Sequence, residues 1–301
     1  IPIYTPLAVM LIVSFLTVLI GIRLKLLRRI LISAAVLFSF LYWLTLWPCV
    51  SGGEIITHFM GNWRAPIGIV LVVDSLSLIF LLLISGLGFT ISLVIEKFIT
   101  ERRSEFYTLF LLAIVGMTGV ILTGDLFNLF VFTEIWIISS YALVIFLRDE
   151  KSLEAGIKYI FVGGLASSLI LLGIALIYGL TGTLNMADVM QKLTFSMVPM
   201  VLLFAGYLIE IGIVPFHFWK PDVVQAGSIP LGILITSLST TTGVYVILRL
   251  LFIFDMIHVN YIFVILGLIS LVLGALLAMF QEDVKRMIGY SSVSQMGYVL
   301  L

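Results

Sequence analysis

Apolar residues fall in long runs along this chain, and short polar links separate the runs. A transmembrane α-helix needs about 20 consecutive, mostly apolar residues. By that length the sequence predicts nine spans and the start of a tenth near residue 287, and hence an all-α integral membrane protein of about ten transmembrane helices. The nine predicted spans are 6–22, 30–50, 67–95, 105–123, 125–147, 157–180, 198–218, 229–254 and 260–280.

The composition agrees with a membrane location. Hydrophobic residues make up 62% of the 301 residues and charged residues 11%, against about a quarter charged in a soluble domain. The 16 basic and 16 acidic residues cancel, which argues against a nucleic-acid partner. The sequence begins at Ile1 and stops at Leu301 inside an apolar run, so we expect one or both ends of the protein to lie beyond it.

Residues that bind cofactors are scarce. A single cysteine, Cys49, excludes an intrachain disulfide and a cysteine-ligated cluster held by this chain alone. His58, His217 and His258 fall in or near predicted loops, so no pair is placed to bind a haem between helices. The sequence therefore predicts no cofactor and no metal site in this chain, and any enzyme activity would come only from a parent complex.

The basic residues predict the orientation. They concentrate in alternate links, and only Arg64, Lys192 and Arg249 fall in the other set. Because cytoplasmic links carry an excess of lysine and arginine, the pattern predicts a multi-pass protein of the cell membrane with its amino terminus outside. The predicted cytoplasmic residues are Arg23, Lys25, Arg28, Arg29, Lys97, Arg102, Arg103, Arg148, Lys151, Lys158, Lys220, Lys285 and Arg286.

Two carboxylates interrupt predicted spans. Glu134 lies near the middle of span 125–147 and Glu210 lies within span 198–218. A carboxylate at membrane depth costs at least a few kcal/mol, roughly 3 or more, unless it has a partner, a hydrated cavity or a bound proton. We therefore treat both as candidate functional residues. The alternative for Glu134 is a protonated side chain that only hydrogen-bonds a neighbouring helix.

The span that holds Glu210 is predicted to be broken. Pro215 follows Glu210 by five residues and Pro221 comes soon after, and proline removes a backbone donor and clashes with the preceding turn. Freed carbonyls at such a break are tolerated where they line a hydrated space. His217 lies seven residues after Glu210, two turns along the same predicted face, so the pair could hold a chain of water molecules.

Three further features are candidates with open alternatives. Asp74, placed two turns into the predicted third helix, lines a path or is an ordinary cap or water contact. Lys158, at the start of the sixth span, turns inward or extends its charge to the interface. The run TSLSTTTG, from Thr236 to Gly243, is interpreted as facing water, although such hydroxyls can also bond back to their own helix.

Several segments together resemble a known family. They are GDLFNLFVFTEIWIISSYALV, AGIKYIFVGGLASSLILLGIALIYGLTGTLNMADV, PFHFWKPD, GVYVILR and EDVKRMIGYSSVSQMGYVL. They resemble the antiporter-like subunits, which comprise the proton-pumping membrane subunits of respiratory complex I, subunits of Mrp-type sodium/proton antiporters, and relatives in archaeal membrane-bound hydrogenase and sulfane reductase complexes. The stretch GNWRAPIGIVLVVDSLS resembles the Mrp-type D subunit and hydrogenase branches. The resemblance runs from about residue 60 to the end.

The resemblance implies a fold and a function. Family members contain two inverted five-helix repeats, helices 4–8 and 9–13, each with a broken helix. This implies an N-terminal three-helix region at 1–104, a first repeat at 105–254 with a broken seventh helix, and an incomplete second repeat at 255–301. The implied function is that of a membrane subunit of a multisubunit complex that moves protons, sodium ions or both. Its partners would be lipid, sister membrane subunits and, in redox members, a peripheral module that holds iron–sulfur clusters.

Carried over by position, the family's functional residues are only partly present. Glu134 matches a buried glutamate of helix five, and Lys158 matches a lysine at the start of helix six. Glu210 stands where the family has a lysine five residues before the proline of PFHFW, and Thr241 stands where it has one four residues before the tyrosine of GVY. The charge at the first of these positions is therefore reversed.

These departures leave four hypotheses open. Glu134 and Glu210 share a proton and still relay it, since two nearby carboxylates in a low dielectric do not both ionise. Alternatively, Lys158 supplies the missing positive charge, or a sodium ion neutralises the carboxylates, because hard cations prefer oxygen ligands. In the fourth hypothesis the path is inactive and the chain is a degenerate, non-conducting scaffold of a redox membrane complex. An independent solute permease fits the hydrophobicity but not the motifs.

Overall fold

The computed structural model describes residues 2–20, 25–193, 196–254 and 260–301. They form two compact units, Ile1–Leu143 and Val144–Leu301. Of the residues predicted to lie in links, Arg23 and His258 fall outside the described residues, as does the side chain of Lys25.

The described residues of the first unit form five α-helices and a β-hairpin. The helices are α1 (Thr5–Ile20), α2 (Lys25–Ser51), α3 (Ser75–Phe98), α4 (Arg103–Leu122) and α5, which begins at Leu126 and ends at Val144. Strands β1 (Ile56–Phe59) and β2 (Val70–Val73) pair antiparallel, with Ile56 opposite Val73. The hairpin occupies part of the link between the predicted spans 30–50 and 67–95 and the first residues of the second of these spans.

The predicted third span began too early, because Asp74 starts the helix. The run Val70–Val73 is rich in β-branched residues, which favour an extended backbone. Asp74 then caps α3: its side chain accepts from the backbone N–H of Ser77 at 2.8 Å, and the Ser77 hydroxyl accepts from the Asp74 N–H at 2.7 Å. Asp74 is thus the N-cap of α3 and does not lie two turns inside the helix.

Helix α4 forms the centre of the first unit. It packs against α1 and α3, and its side chains are buried on almost every side. It also approaches α5 closely, because a Cβ atom added at Gly116 would lie 2.5 Å from the backbone nitrogen of Trp136. Nearby, Arg28 of α2 is 4% exposed and pairs with Glu96 of α3 at 3.2 Å, so this predicted link residue is instead buried.

The described residues of the second unit form eight α-helices. Helix α6 packs against α8, α9 packs against α6 and α13, α11 packs against α8, and α12 packs against α13. A Cβ atom added at Gly206 would lie 2.9 Å from the carbonyl oxygen of Ala166, so α6 and α8 nearly touch. The helices are α6 (Glu150–Thr181), α7 (Met186–Lys192), α8 (Met197–Ile211), α9 (Trp219–Ala226), α10 (Ile229–Ile233), α11 (Thr240–Ile253), α12 (Asn260–Met279) and α13 (Val284–Leu300).

The membrane character of the fold is confirmed. Within the described part of the chain, eight helical segments are long and apolar enough to cross a membrane, and Thr5–Leu19 is a shorter apolar helix. One of the eight, Met197–Ala226, joins α8 and α9 across an interruption, and another, Ile229–Ile253, joins α10 and α11. The predicted repeat boundaries at 104 and 254 stay predictions.

Candidate functional site

The segment Met197–Ala226 is interrupted where α8 ends. Gly212 adopts a left-handed backbone with φ of +74° and follows the last helical residue, Ile211. The Gly212 N–H donates to Ile209 O and the Ile213 N–H donates to Leu208 O, both at 3.1 Å, which is the Schellman arrangement that ends a helix at glycine. The break predicted from the prolines therefore begins three residues before Pro215.

The chain after the break folds back onto the end of α8. Phe216–Phe218 forms a 3₁₀ turn, and α9 follows from Trp219. The Trp219 indole N–H donates to Ile209 O at 3.2 Å, and its ring stacks on Tyr159 of α6 with centroids 4.3 Å apart. The last carbonyls of a helix lack partners within the helix, so side chains of the second half supply them.

Lys220 supplies another of these partners. Its Nζ donates to Ile211 O at 2.8 Å and to the Thr240 hydroxyl at 3.1 Å, and the residue is only 1% exposed. The prediction that Lys220 lies in a cytoplasmic link is therefore wrong. Its backbone lies in α9, within the interrupted span, and its side chain runs back to the end of α8.

The hydroxyl-rich run of the next helix mostly bonds to its own backbone. Leu234–Ser239 is a π-helix, and Thr236, Ser237 and Thr242 donate to the carbonyls four residues earlier. Thr240 donates to Ile235 O, five residues earlier, which leaves its oxygen free to accept from Lys220. Thr241, the predicted site residue, is half-buried beside it on α11.

Glu210 lies in the last turn of α8 and is 4% exposed. The predicted alignment of His217 with Glu210 along one helix face is wrong, because α8 ends at Ile211 and the chain turns before His217. His217 lies in the 3₁₀ turn, half-buried, with its ring 6.3 Å from that of Tyr290 on α13.

Lys158 joins a cluster of charges around an open polar cleft. Its Nζ lies 2.8 Å from Glu154 on its own helix and 2.8 Å from Asp222 on α9. Arg286 of α13 pairs with the other oxygen of Asp222 at 3.2 Å. The cleft is lined by Lys151, Glu154, Ala155, Lys158, Asp222, Gln225, Ala226 and Arg286.

The last carboxylate predicted from the sequence, Glu134, lies on α5 in the first unit and is half-buried. Phe132 and Trp136, two residues on either side, meet Gly119 and Gly116 of α4. At about 100° per residue, Glu134 therefore projects from the side of α5 away from α4. Its predicted relation to Glu210, which lies in the other unit, stays a prediction.

Sequence reasoning missed Lys220, Asp222 and Arg286. The signal for Lys220 was its place in PFHFWKPD, between two prolines of a predicted broken helix, but the alternation of basic links assigned it to the cytoplasm. Asp222 and Arg286 gave no comparable signal, since they lie far apart along the chain. Within the described residues, no group of three or more His, Cys, Asp or Glu side chains is placed to hold a metal ion.

The chain is similar in sequence to a protein family and to named relatives. A family described as NADH:quinone oxidoreductase/Mrp antiporter, TM, matches residues 123–301. The D subunit of the Na(+)/H(+) antiporter of Alkalihalophilus pseudofirmus is 34% identical over 254 residues, which cover 80% of this chain and 51% of the relative. The chain thus spans about half the length of this curated relative.

Two solved structures share the fold. A chain of the membrane-bound sulfane sulfur reductase, an archaeal respiratory membrane complex, matches with a TM-score of 0.94 and 34% identity over 99% of this chain and 64% of that one. A chain of the Mrp complex from Dietzia sp. matches with a TM-score of 0.91 and 28% identity over 99% and 57%. This chain is therefore a multi-pass membrane protein of the NADH:quinone oxidoreductase/Mrp antiporter family, and these two matched structures are of membrane complexes.

Proposed function

We propose that this chain is a membrane subunit of a multisubunit complex that translocates cations: protons, sodium ions or both. The observation that carries the proposal is the interrupted span Met197–Ala226, which buries both Glu210 and Lys220 where its two halves meet. Charged groups at membrane depth are costly and mark ion pathways, and broken helices supply carbonyl oxygens to such pathways.

The names of the related proteins support this proposal. One is an Na(+)/H(+) antiporter subunit, another a probable K(+)/H(+) antiporter subunit and others NADH-quinone oxidoreductase subunits. In this chain the relay would use Glu134 on α5 and Glu210 on α8, with Lys158, His217, Thr241 and Asp74 as the further residues singled out from the sequence. Iron–sulfur clusters, if the complex is redox-driven, would lie in partner subunits.

The cell membrane is the proposed location, with the amino terminus outside. Most of the basic residues then lie on the cytoplasmic side, as the distribution of lysine and arginine favours. The cleft around Lys158 and Asp222 would open to the cytoplasm.

The test is Glu134→Gln in the full-length protein within its native complex, purified and reconstituted into vesicles that hold a proton-sensitive and a sodium-sensitive dye. Glutamine keeps the shape of the side chain but cannot carry a proton or a charge. We expect cation movement to fall by about 100-fold or more, as when a positioned proton carrier is removed. Glu54→Gln, an exposed carboxylate in the same unit, is the matched control and should transport normally.

The scaffold alternative gives the opposite result. If the Glu134→Gln complex assembles and moves both cations at the wild-type rate, the relay through α5 is absent. The chain would then serve to hold neighbouring subunits together.

A further inference from the structure

Lys220 is the most deeply buried charged group at the interruption of Met197–Ala226, with 1% exposure against 4% for Glu210. It differs from the other lysine of this region, Lys158, which is 40% exposed and pairs with two carboxylates. A lysine buried in this way needs a physical reason, because an ammonium ion loses its hydration there.

The partners of Lys220 are neutral oxygen atoms from two different elements. One is the carbonyl of Ile211, the last residue of α8, and the other is the hydroxyl of Thr240 at the start of α11. Within the part of the chain that the structure describes, Lys220 makes no ion pair with a carboxylate. Its charge is therefore balanced by dipoles, including the negative end of the α8 helix dipole.

Burial and the hydrogen-bond partners of Lys220 act in opposite directions on its charged form. Burial disfavours the charged ammonium, whereas the helix-end carbonyl and the hydroxyl favour it. A carboxylate partner would bind the charge more firmly. Lysine can also give up its proton, which arginine cannot do in proteins.

Helix α9 carries Lys220 on one side and a residue of the polar cleft on the other. Asp222 follows Lys220 by two residues, and at about 100° per residue the two project from opposite sides of α9. Asp222 lines the open polar cleft, where it pairs with Lys158 and Arg286. One short helix thus carries a group in contact with the cleft and a buried lysine at the break.

We propose that Lys220 is a proton-exchange site, which rests on the proposed function of cation translocation. In the release step an Nζ–H bond of the ammonium breaks, its electron pair stays on Nζ, and the proton passes to a water molecule in the break to give hydronium. In the loading step a hydronium ion returns a proton to the neutral amine. The carbonyl of Ile211 and the hydroxyl of Thr240 hold the amine in place through both steps.

The experiment compares Lys220→Arg with Lys220→Met in the full-length protein within its native complex, by proton movement into reconstituted vesicles. Arginine keeps the positive charge and the donors but does not release a proton, so a structural role would be rescued by it. We expect both variants to lose proton movement by about 100-fold or more. Lys285→Arg is the matched control, since Lys285 also donates to two carbonyl oxygens, of Gln225 and Gly227 at 2.9 Å, but is half-exposed.

Assembled Lys220→Arg complexes that move protons at the wild-type rate would overturn the proposal. If Glu134→Gln abolishes movement in the same experiment, only the role of Lys220 fails, whereas unchanged movement in both variants overturns the proposed function as well.

If the Lys220→Arg complex does not assemble, Thr240→Val tests the proposal instead. Valine has nearly the same shape as threonine but lacks the hydroxyl that accepts a hydrogen bond from Lys220. We expect it to slow proton movement. Thr242→Val, which removes a hydroxyl that donates to Leu238 O on its own helix, should not. Equal rates in these two variants overturn the proposal.

Discussion

Lys158 of α6 and Asp222 of α9 form an ion pair at 2.8 Å. The pair joins residues 64 positions apart and holds α9, the second half of the interrupted span, against α6. Lys158 was expected from the sequence to turn inward or to extend to the interface. In the structure the lysine lines an open polar cleft, and its partner Asp222 lies on the helix that also carries Lys220.

The ion pair predicts a stability effect of Asp222→Asn. The substitution removes the charge that faces both Lys158 and Arg286, so α9 should dock less firmly. Because Lys158 is 40% exposed and partly screened by solvent, we expect the free energy of unfolding to fall by only about 1 kcal/mol. The measurement is the thermal unfolding midpoint in lipid nanodiscs, which should be lower.

The control for that measurement is Glu154→Gln. Glu154 binds the same lysine at the same distance but is 65% exposed and lies on the same helix as Lys158. Its loss should change the midpoint less than the loss of Asp222. An equal or larger effect of Glu154→Gln would contradict the view that Asp222 anchors α9.

The close approach of Gly212 to Lys220 predicts a second effect. Gly212 has φ of +74°, and a Cβ atom there would lie 2.9 Å from Cδ of Lys220. Gly212→Ala should therefore combine backbone strain of about 1–2 kcal/mol with displacement of the lysine side chain. We expect a lower unfolding midpoint together with slower proton movement in reconstituted vesicles.

Gly182→Ala separates these two causes. Gly182 ends α6 with a similar φ of +68°, but among the described residues no atom beyond its chain neighbours lies within 4 Å of an added Cβ. It should show the backbone strain alone and keep its transport rate. If the two alanine variants behave alike, the position of the Lys220 side chain has no role in transport.

Asp125, which precedes α5, predicts a dependence of stability on pH. Burial raises the pKa of its carboxyl above the ordinary 3.8. At pH values between 3.8 and the raised pKa, the folded protein holds a proton that the unfolded chain has released. The free energy of unfolding therefore falls as the pH rises through this window. Asp125→Asn should remove that slope while it keeps an acceptor for the Asn128 N–H, which Asp125 accepts at 2.8 Å.

Asp149, the N-cap of α6, should make stability depend on pH in the opposite direction. Hydrogen bonds from Ser152 lower the pKa of its carboxyl, so its contribution to stability is lost as pH falls below the ordinary aspartate range. Unfolding midpoints measured across acidic pH for the wild type, Asp125→Asn and Asp149→Asn test both signs. Equal pH slopes in all three proteins would contradict the assignment.

Some of the site follows from sequence because its signal is local. Pro215 predicts a broken helix through its missing donor, and Glu134 and Glu210 stand out because carboxylates are rare in apolar spans. Asp74 shows the limit of this reasoning. The apolar residues before it extend the hydrophobic run, so that length alone could not separate a β-strand and its cap from the start of a helix.

Lys220 shows the limit more clearly. Alternation of charge predicts which side of the membrane a link occupies, and a lysine near a predicted helix end fits that rule. The side chain is long enough to run back along its own helix break, and whether it does so depends on acceptors elsewhere. Here the acceptors are the carbonyl of Ile211 and the hydroxyl of Thr240, which is twenty residues further along the chain.

The sequence by itself determined the multi-pass helical membrane fold, the interruption after Glu210 and the presence of carboxylates within apolar spans. These follow from composition and from spacing within about 20 residues, the length over which one helix forms. The family follows from the resemblance of whole segments to known antiporter-like subunits. Only the tertiary structure decided that Lys220 is buried, that Lys158 pairs with Asp222 and that Asp74 is a cap. The physical reason is that a charged side chain settles where it finds hydrogen-bond partners, and those partners come from elements that the folded chain alone brings together.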